Sequence, residues 1–367
     1  MAKLLKNLYH KEFIATLAND IRHIYSPFNQ KRFISNIFNN TWEEKELKQR
    51  MRHIAISINN ELHLSYVDAV NILQKCFIYR QKNSNNRVLN LGLENMIFQD
   101  FVEVYGVNCF KESMQALESF TQNSSSEFAI RQFILKYEDK TFDQLKLWTK
   151  SNSEHTRRLS SEGCRPRLPW AIALPLYKKD PSKVIEILEL LKNDKSKYVQ
   201  KSVANCLNDI SKDNIDLVKQ LSKKWIHKSD NLDWIIKHGC RTLLKAGDKD
   251  ILELFGFKYN KKINITNISF DKKVHMGEDF NFSFELSNKK DFGNLRIEYT
   301  LNFLRQNKKY SRKVFKISES NYNKSHLNIS KKYSFKKIST RVYYKGPHSI
   351  EFIVNGQSIK KCEFILI

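Results

Sequence analysis

From the N-terminus to about residue 255 the apolar positions return at helical spacing. The clearest stretch is VIEILELLK, where Val184, Ile185, Ile187, Leu188, Leu190 and Leu191 recur as the buried face of a helix requires. Leu217, Val218, Leu221, Trp225 and Ile226 repeat the pattern. Polar runs such as KNSNN at 82–86, QNSSS at 122–126, KSNSE at 150–154 and KSDN at 228–231 separate these units without strand signals. The spacing therefore predicts a stack of short helices. After Gly256 the period falls to two. Phe280, Phe282, Phe284 and Leu286, then Ile297, Tyr299, Leu301 and Phe303, are apolar at alternate positions, as in half-buried strands. Further runs at 311–317, 331–338, 340–345 and 349–354, a turn at Lys345-Gly346-Pro347 and an Asn355-Gly356 hairpin signal bring the expectation to seven or eight strands. That number in ~100 residues predicts an immunoglobulin-like sandwich, and its single Cys362 excludes an inter-sheet disulfide.

Three of the expected helices read as one helix repeated: HTRRLSSEGCR from His155, YVQKSVANCLN from Tyr198 and WIIKHGCRTLL from Trp234. Arg158, Lys201 and Lys237 fall in register, and the intervals of 43 and 36 residues suit helical solenoid repeats of the HEAT kind. The expected fold class is multidomain: an all-α HEAT-like solenoid over 1–256, followed by an all-β immunoglobulin-like sandwich over 257–367. At 367 residues the chain exceeds the size at which one core stops growing.

Charge narrows the partners. Lys and Arg number 63 against 39 Asp and Glu, a net +24, enough to draw polyanions from solution. An abundance of Lys, Asn, Ile and Phe also follows from AT-rich coding. The spread is uneven, however: residues 261–367 hold 22 Lys and Arg against 9 Asp and Glu, so +13 of the excess lies in the strand-rich part. Nucleic acid becomes the leading partner. The six cysteines are far apart, without a C-x-x-C pair, and neither a metal motif nor a Gly-rich phosphate loop occurs, so no cofactor and no metal are expected. The N-terminus lacks the apolar core of a signal peptide, and the longest apolar run, around Trp170 to Tyr177, is too short to cross a bilayer. These features predict a cytoplasmic, nucleoid-associated protein with no membrane and no obligate protein partner.

The most unusual stretch is HTRRLSSEGCRPRLPWA, which gathers Arg157, Arg158, Arg165, Arg167, Glu162 and Trp170 in one helix and the loop after it. Arginine's planar fork suits phosphate oxygens. Taken singly, each residue has a plain structural explanation. The arginines could form a solvated face. Glu162 could pair with Arg158 at i, i+4 for ~0.3–0.5 kcal/mol, and Asp209 with Lys212. Glu127 could complete a capping box with Ser124, and Trp170 could be core. Jointly these explanations are harder to accept.

SSEFAIR, EHTRRLSSEGCRPRLPW and KSVANCLNDISK, in that order, together with upstream FQDFVEVYGVNCFKESMQALESFTQ, resemble the AlkC branch of the DNA alkylation-repair glycosylases. The resemblance covers roughly residues 5–256, and the strand-rich tail is similar to the immunoglobulin-like domain of one AlkC subset. It implies a solenoid that holds duplex DNA without a deep base-flipping pocket. The implied reaction hydrolyses the N-glycosidic bond of cationic lesions, chiefly 3-methyladenine and 3-methylcytosine, and leaves an abasic site. It also implies that Glu127 and Glu162 are the acidic pair at the lesion, Trp170 the aromatic wall and Asp209 the carboxylate facing the deoxyribose. Gln132, where the family motif has proline, is a departure that leaves these groups intact. The expected DNA contacts are Arg157, Arg158, Arg165, Arg167, Lys201 and Arg241 in the helical part and Lys308, Lys309 and Arg312 in the strand-rich part. The alternative is a non-catalytic HEAT-type scaffold that binds damaged DNA. A protein-interaction scaffold comes third, since the Arg-rich 157–167 segment argues against it.

Overall fold

A computed structural model describes residues 4–83, 92–339 and 341–367. Residues 84–86 of the KNSNN separator and residue 340 of the expected 340–345 run lie outside the described residues. The chain divides into two compact units, residues 1–218 with 225–239, and residues 219–224 with 240–367.

Among the described residues, helices fill the first unit: α1 (Lys11–Ile24), α2 (Gln30–Ile37), α3 (Leu47–Leu62), α4 (Tyr66–Lys82), α5 (Met96–Tyr105), α6 (Phe110–Phe120), α7 (Ile130–Lys136), α8 (Glu138–Trp148), α9 (Glu154–Gly163), α10 (Pro175–Lys179), α11 (Ser182–Leu191), α12 (Lys197–Ile210), α13 (Ile215–Trp225) and α14 (Asp230–Gly239). Residues 219–224 of α13 group with the second unit. Side-chain caps open several of them. Asn29 accepts from the Arg32 amide at 3.1 Å to start α2, and Ser65 from the Asp68 amide at 3.2 Å to start α4. Each satisfies one of the amides that a helix start leaves without an internal partner. In α11, Val184, Ile187, Leu188 and Leu191 are buried at i, i+3, i+4 and i+7, while Leu190 points to solvent and Ile185 is half-buried.

The three similar segments occupy equivalent places in consecutive layers. α9 packs against α12, and α12 against α14, while α8 packs against both α9 and α11. This is a helical repeat in which each layer buries its apolar face on the next. Gly163 ends α9 where a Cβ would lie 2.6 Å from the Ile130 Cγ2 atom of α7, so a side chain there would force the Ile130 side chain to move. No helix among the described residues is long and apolar enough to cross a membrane.

Among its described residues the second unit carries α15 (Arg241–Ala246), α16 (Lys249–Leu254) and eight strands: β1 (Asn264–Phe270), β2 (Lys273–Val274), β3 (Asp279–Ser287), β4 (Gly293–Leu304), β5 (Tyr310–Tyr322), β6 (His326–Ser334), β7 (Gly346–Val354) and β8 (Gln357–Leu366). They form two sheets, ordered β1-β3-β6 and β2-β8-β7-β4-β5, antiparallel except for the short β2–β8 pair. The alternating residues of β3 and β4 face each other across the sandwich, and Phe280, Phe284, Leu286, Leu295, Ile297, Leu301, Phe352 and Phe364 are all at most 2% exposed. The fold class is therefore a helical-repeat part followed by an immunoglobulin-like β-sandwich. At the β7–β8 hairpin Asn355 (φ 46°) and Gly356 (φ 79°) both take the left-handed conformation of a two-residue turn.

Two expected strand limits differ. The 331–338 run stops pairing at Ser334: the buried Phe335 still donates its amide to the Glu278 carbonyl at 2.9 Å, but the Glu278 amide is taken by the His275 carbonyl at 3.0 Å and β3 opens only at Asp279. In the 340–345 run, Arg341 makes only an isolated bridge to Ile338, and the next strand opens at Gly346. Here side-chain packing replaces ladder pairing: the Arg341 guanidinium lies 4.5 Å over the Phe303 ring and donates to the Tyr333 hydroxyl at 2.7 Å.

Candidate active site

Three segments of the helical repeat deliver carboxylates to one place. Glu127 comes from the turn before α7, Glu162 from the last turn of α9 and Asp209 from the end of α12. Glu162 is 4% and Asp209 2% exposed, and Glu127 is half-buried. Two arginines stand between them. Arg158 donates to Glu127 at 3.0 Å and to the Ser125 hydroxyl at 2.9 Å, and its other terminal nitrogen is 3.6 Å from Glu162. Arg165 donates to Glu162 at 2.5 Å and to Asp209 at 2.8 Å. The order Glu127, Arg158, Glu162, Arg165, Asp209 thus alternates in sign, and Lys212 closes it at 3.4 Å from Asp209.

Hydroxyl groups complete the pairing of Glu162. Ser202 of α12 donates to its second oxygen at 2.6 Å, and Ser161 donates to Ser202 at 2.7 Å. Both oxygens of this buried carboxylate are therefore satisfied, as burial of a charge demands. Burial raises the Glu127 pKa above the ordinary carboxylate range, opposed by the Arg158 charge. For Arg158 and Arg165 burial works against the charged form, but the neighbouring carboxylates outweigh it and hold both pKa values above the ordinary guanidinium value.

The plain readings of single residues are met only in part. The Arg158–Glu162 pair at i, i+4 exists, but it is buried and Arg165 lies closer to Glu162. Asp209 does touch Lys212, with Arg165 nearer. Ser124 makes no box with Glu127, since its hydroxyl donates to the Gly92 carbonyl. Trp170 is not core: the residue is 60% exposed and its φ is 65°.

The arginines expected at phosphate take protein partners here. Arg157 makes a two-point pair with Asp194 and donates to the Ser151 and Asn152 carbonyls. Arg167 makes a two-point pair with Asp213. Arg158 and Arg165, withdrawn from solvent and shared between carboxylates, differ from the solvent-facing fork that the sequence suggested. Lys201 is exposed on α12, and Arg241 is half-buried at the start of α15. In the β-sandwich Lys308 and Lys309 lie exposed in the β4–β5 turn, and Arg312 on β5 is exposed, 3.7 Å from Glu351.

The structure adds residues that sequence reasoning missed. Arg131, in the same SSEFAIR motif as Glu127, is fully buried and donates to the carbonyls of Gly163, Arg165 and Ile172. Tyr198 places its ring 4.7 Å from the Arg158 guanidinium. Its register with His155 and Trp234 was the signal that could have found it. Among the described residues no group of His, Cys, Asp and Glu has the arrangement of a metal site.

Residues 111–243 match a family model described as DNA alkylation repair enzyme, and residues 264–367 match one described as the C-terminal Ig-like domain of uncharacterised protein YhaZ. Uncharacterized protein YhaZ of Bacillus subtilis (strain 168) is 41% identical over 365 residues, 98% of each chain. The solved structure of Pseudomonas fluorescens alkylpurine DNA glycosylase AlkC, bound to DNA containing an abasic site analogue, is 31% identical. It superposes with a TM-score of 0.93 over 100% of both chains.

Proposed function

This chain belongs to the DNA alkylation repair family that includes YhaZ and AlkC, and from that premise we propose that it is a monofunctional DNA N-glycosylase. Its substrates are cationic alkylated bases in duplex DNA, chiefly 3-methyladenine and 3-methylcytosine, and its product is an abasic site. The observation that carries this reading is the array of three carboxylates withdrawn from solvent, drawn from three segments and interleaved with Arg158 and Arg165.

Such an array suits a substrate that already bears positive charge. An alkylated cationic base is a good leaving group and needs no general acid to protonate it. As the glycosidic bond lengthens, the sugar gains oxocarbenium character, and a fixed anion facing it lowers the barrier by ~3–4 kcal/mol per group. Asp209 takes that role and aligns the attacking water. Glu127 and Glu162 stabilise the cationic base. The exposed Trp170 ring packs on the lesion, where a cation–π contact contributes roughly 0.5–2 kcal/mol.

Residues 1–256 then form the glycosylase part and 257–367 a basic part that holds the duplex through its phosphates, with Lys308, Lys309 and Arg312 at the phosphates. Lys201 and Arg241 serve the same purpose in the helical part. Arg157 and Arg167 reach phosphate by exchanging Asp194 and Asp213 for it.

The test is incubation of the purified protein with methylated duplex DNA and chromatography of the released bases, beside Glu162→Gln and Asp209→Asn. Wild type should release 3-methyladenine or 3-methylcytosine, and each variant should be slower by about 10²–10³-fold. Tight binding with no released base would replace this reading with that of a damage-binding scaffold.

A further inference from the structure

Trp170 combines two features that rarely coexist. Its φ of 65° lies in the left-handed region, unfavourable for a bulky side chain, and the residue is 60% exposed, so burial does not hold it there. A strained residue persists only where its surroundings over-determine it. The restraint must therefore act on the backbone, and the groups that supply it are identifiable.

The loop from Gly163 to Leu174 is gripped at both ends by Arg131. Its Nη1 donates to the carbonyls of Gly163 at 2.9 Å and Arg165 at 2.8 Å, and its Nε to the Ile172 carbonyl at 2.7 Å. Arg131 is wholly buried and all three acceptors are backbone carbonyls. Burial lowers its pKa to about 10, which still leaves it charged at neutral pH. Its charge is therefore directed to fixing the chain. Within the loop, Ala171 donates to the Leu168 carbonyl and Leu174 to the Pro166 carbonyl, at 3.4 and 3.2 Å.

The remaining restraint falls on Trp170 itself. Lys48, exposed on α3 and 122 positions away in the chain, donates its ammonium to the Trp170 carbonyl at 2.9 Å. The same ammonium sits 4.9 Å from the centroid of the Phe128 ring, next to Glu127 in the chain. One cation thereby ties α3 and the Glu127 turn to the residue whose ring is exposed. We propose that Lys48 is a positioning residue: seated on Phe128, it clamps the Trp170 carbonyl and aims the indole, while Arg131 fixes the ends of the loop. This inference rests on the glycosylase reading for its consequence, but not for its geometry.

A basic residue near such a site invites another explanation, direct contact with phosphate, and the test separates the two. In the full-length protein Lys48 is replaced by Met and by Arg. The first readout needs no substrate: the anisotropy decay of Trp170 emission, isolated by subtracting the Trp170→Phe counterpart of each protein. Lys48→Met should add a fast local component that Lys48→Arg removes. The second readout is single-turnover release of base, at saturating enzyme, from duplex DNA methylated with dimethyl sulfate. Lys48→Met should be slower by about tenfold, as expected for a misplaced reacting partner. Its Kd for undamaged duplex and the salt dependence of that Kd should stay at wild-type values. An unchanged anisotropy decay overturns the clamp. So does a defect that appears in Kd and its salt slope, which would place Lys48 on phosphate. If wild type releases no base, the glycosylase reading fails, and the anisotropy comparison still decides whether Lys48 holds Trp170.

Discussion

Replacing Arg165 by methionine keeps much of the side chain's volume and removes its charge from between Glu162 and Asp209. Arg165 donates to them at 2.5 and 2.8 Å, and their side chains are 6% and 2% exposed. Deleting one partner of a buried ion pair costs about 3–5 kcal/mol, because the charge left behind is neither hydrated nor matched. Arg158 remains 3.6 Å from Glu162 and Lys212 remains 3.4 Å from Asp209, which puts the expected loss near the lower end, about 3 kcal/mol. With a urea dependence of about 2 kcal/mol/M, the unfolding midpoint should fall by roughly 1.5 M. Arg167 is the internal control. It pairs with Asp213 through two hydrogen bonds of similar length, but its side chain is 37% exposed, so Arg167→Met should cost below about 1 kcal/mol. Urea unfolding followed by helical circular dichroism compares the two. A triple variant, Arg165→Met with Glu162→Gln and Asp209→Asn, should recover part of the loss, since no buried charge is then left unmatched. Equal shifts for Arg165→Met and Arg167→Met, or a triple variant as unstable as the summed parts, would refute the reasoning that burial makes this pairing obligatory.

Two further outcomes are expected. Burial raises the Glu127 pKa above its ordinary value of 4.5, so the folded protein binds that proton more tightly than the unfolded chain. Its contribution to stability is therefore full below the unfolded pKa and is lost as pH rises through the folded one. Glu127→Gln should flatten the stability profile from about pH 4.5 upward, and urea titrations at a series of pH values that leave the profile unchanged would contradict this. In the β-sandwich, neutralising Lys308, Lys309 and Arg312 together should weaken duplex binding for every sequence alike and lower the log–log salt slope by about 1 for each phosphate that these side chains neutralise in the wild type. Fluorescence anisotropy between about 50 and 200 mM salt measures it, and an unaltered slope would remove these residues from the interface.

Periodicity carried the architecture because it is set locally. The 3.6-residue return in VIEILELLK and the alternation of Phe280, Phe282 and Phe284 each follow from one face meeting a core, and both appear in α11 and β3. The Asn355-Gly356 turn was legible for the same reason, since its backbone demands those residues. What the pattern could not supply was the partner of each charge. Arg157, Arg158, Arg165 and Arg167 look alike along the chain, but Asp194, Glu127, Asp209 and Asp213, from 31 to 46 positions away, decide their roles. The ends of two β-rich runs misled in the same manner: the sequence of a run does not reveal that the turn at His275 takes the Glu278 amide opposite Phe335, or that Arg341 stacks on Phe303. Arg131 was invisible for a different reason. A buried arginine that serves only carbonyls has no signature in residue type or spacing.

The arrangement also accounts for why arginine, and so much of it, occupies this stretch. Three carboxylates close together repel one another, and desolvation penalises each, so a fold that gathers them must compensate on the spot. Lysine offers a single point of charge. A guanidinium can serve two acceptors from one plane, as Arg165 does for Glu162 and Asp209 and Arg158 does for Ser125 and Glu127. Compensation by shared forks has a geometric by-product, because each carboxylate is fixed relative to the next. With Lys212 beside Asp209 the array is neutral as a whole, so in the glycosylase reading its preference for a cationic base over a neutral one comes from which carboxylate oxygens the shared forks hold toward the lesion and not from net charge. Selectivity for charged lesions and tolerance of buried carboxylates then have the same origin. A substitution that relaxes one, such as Arg165→Met, should alter both.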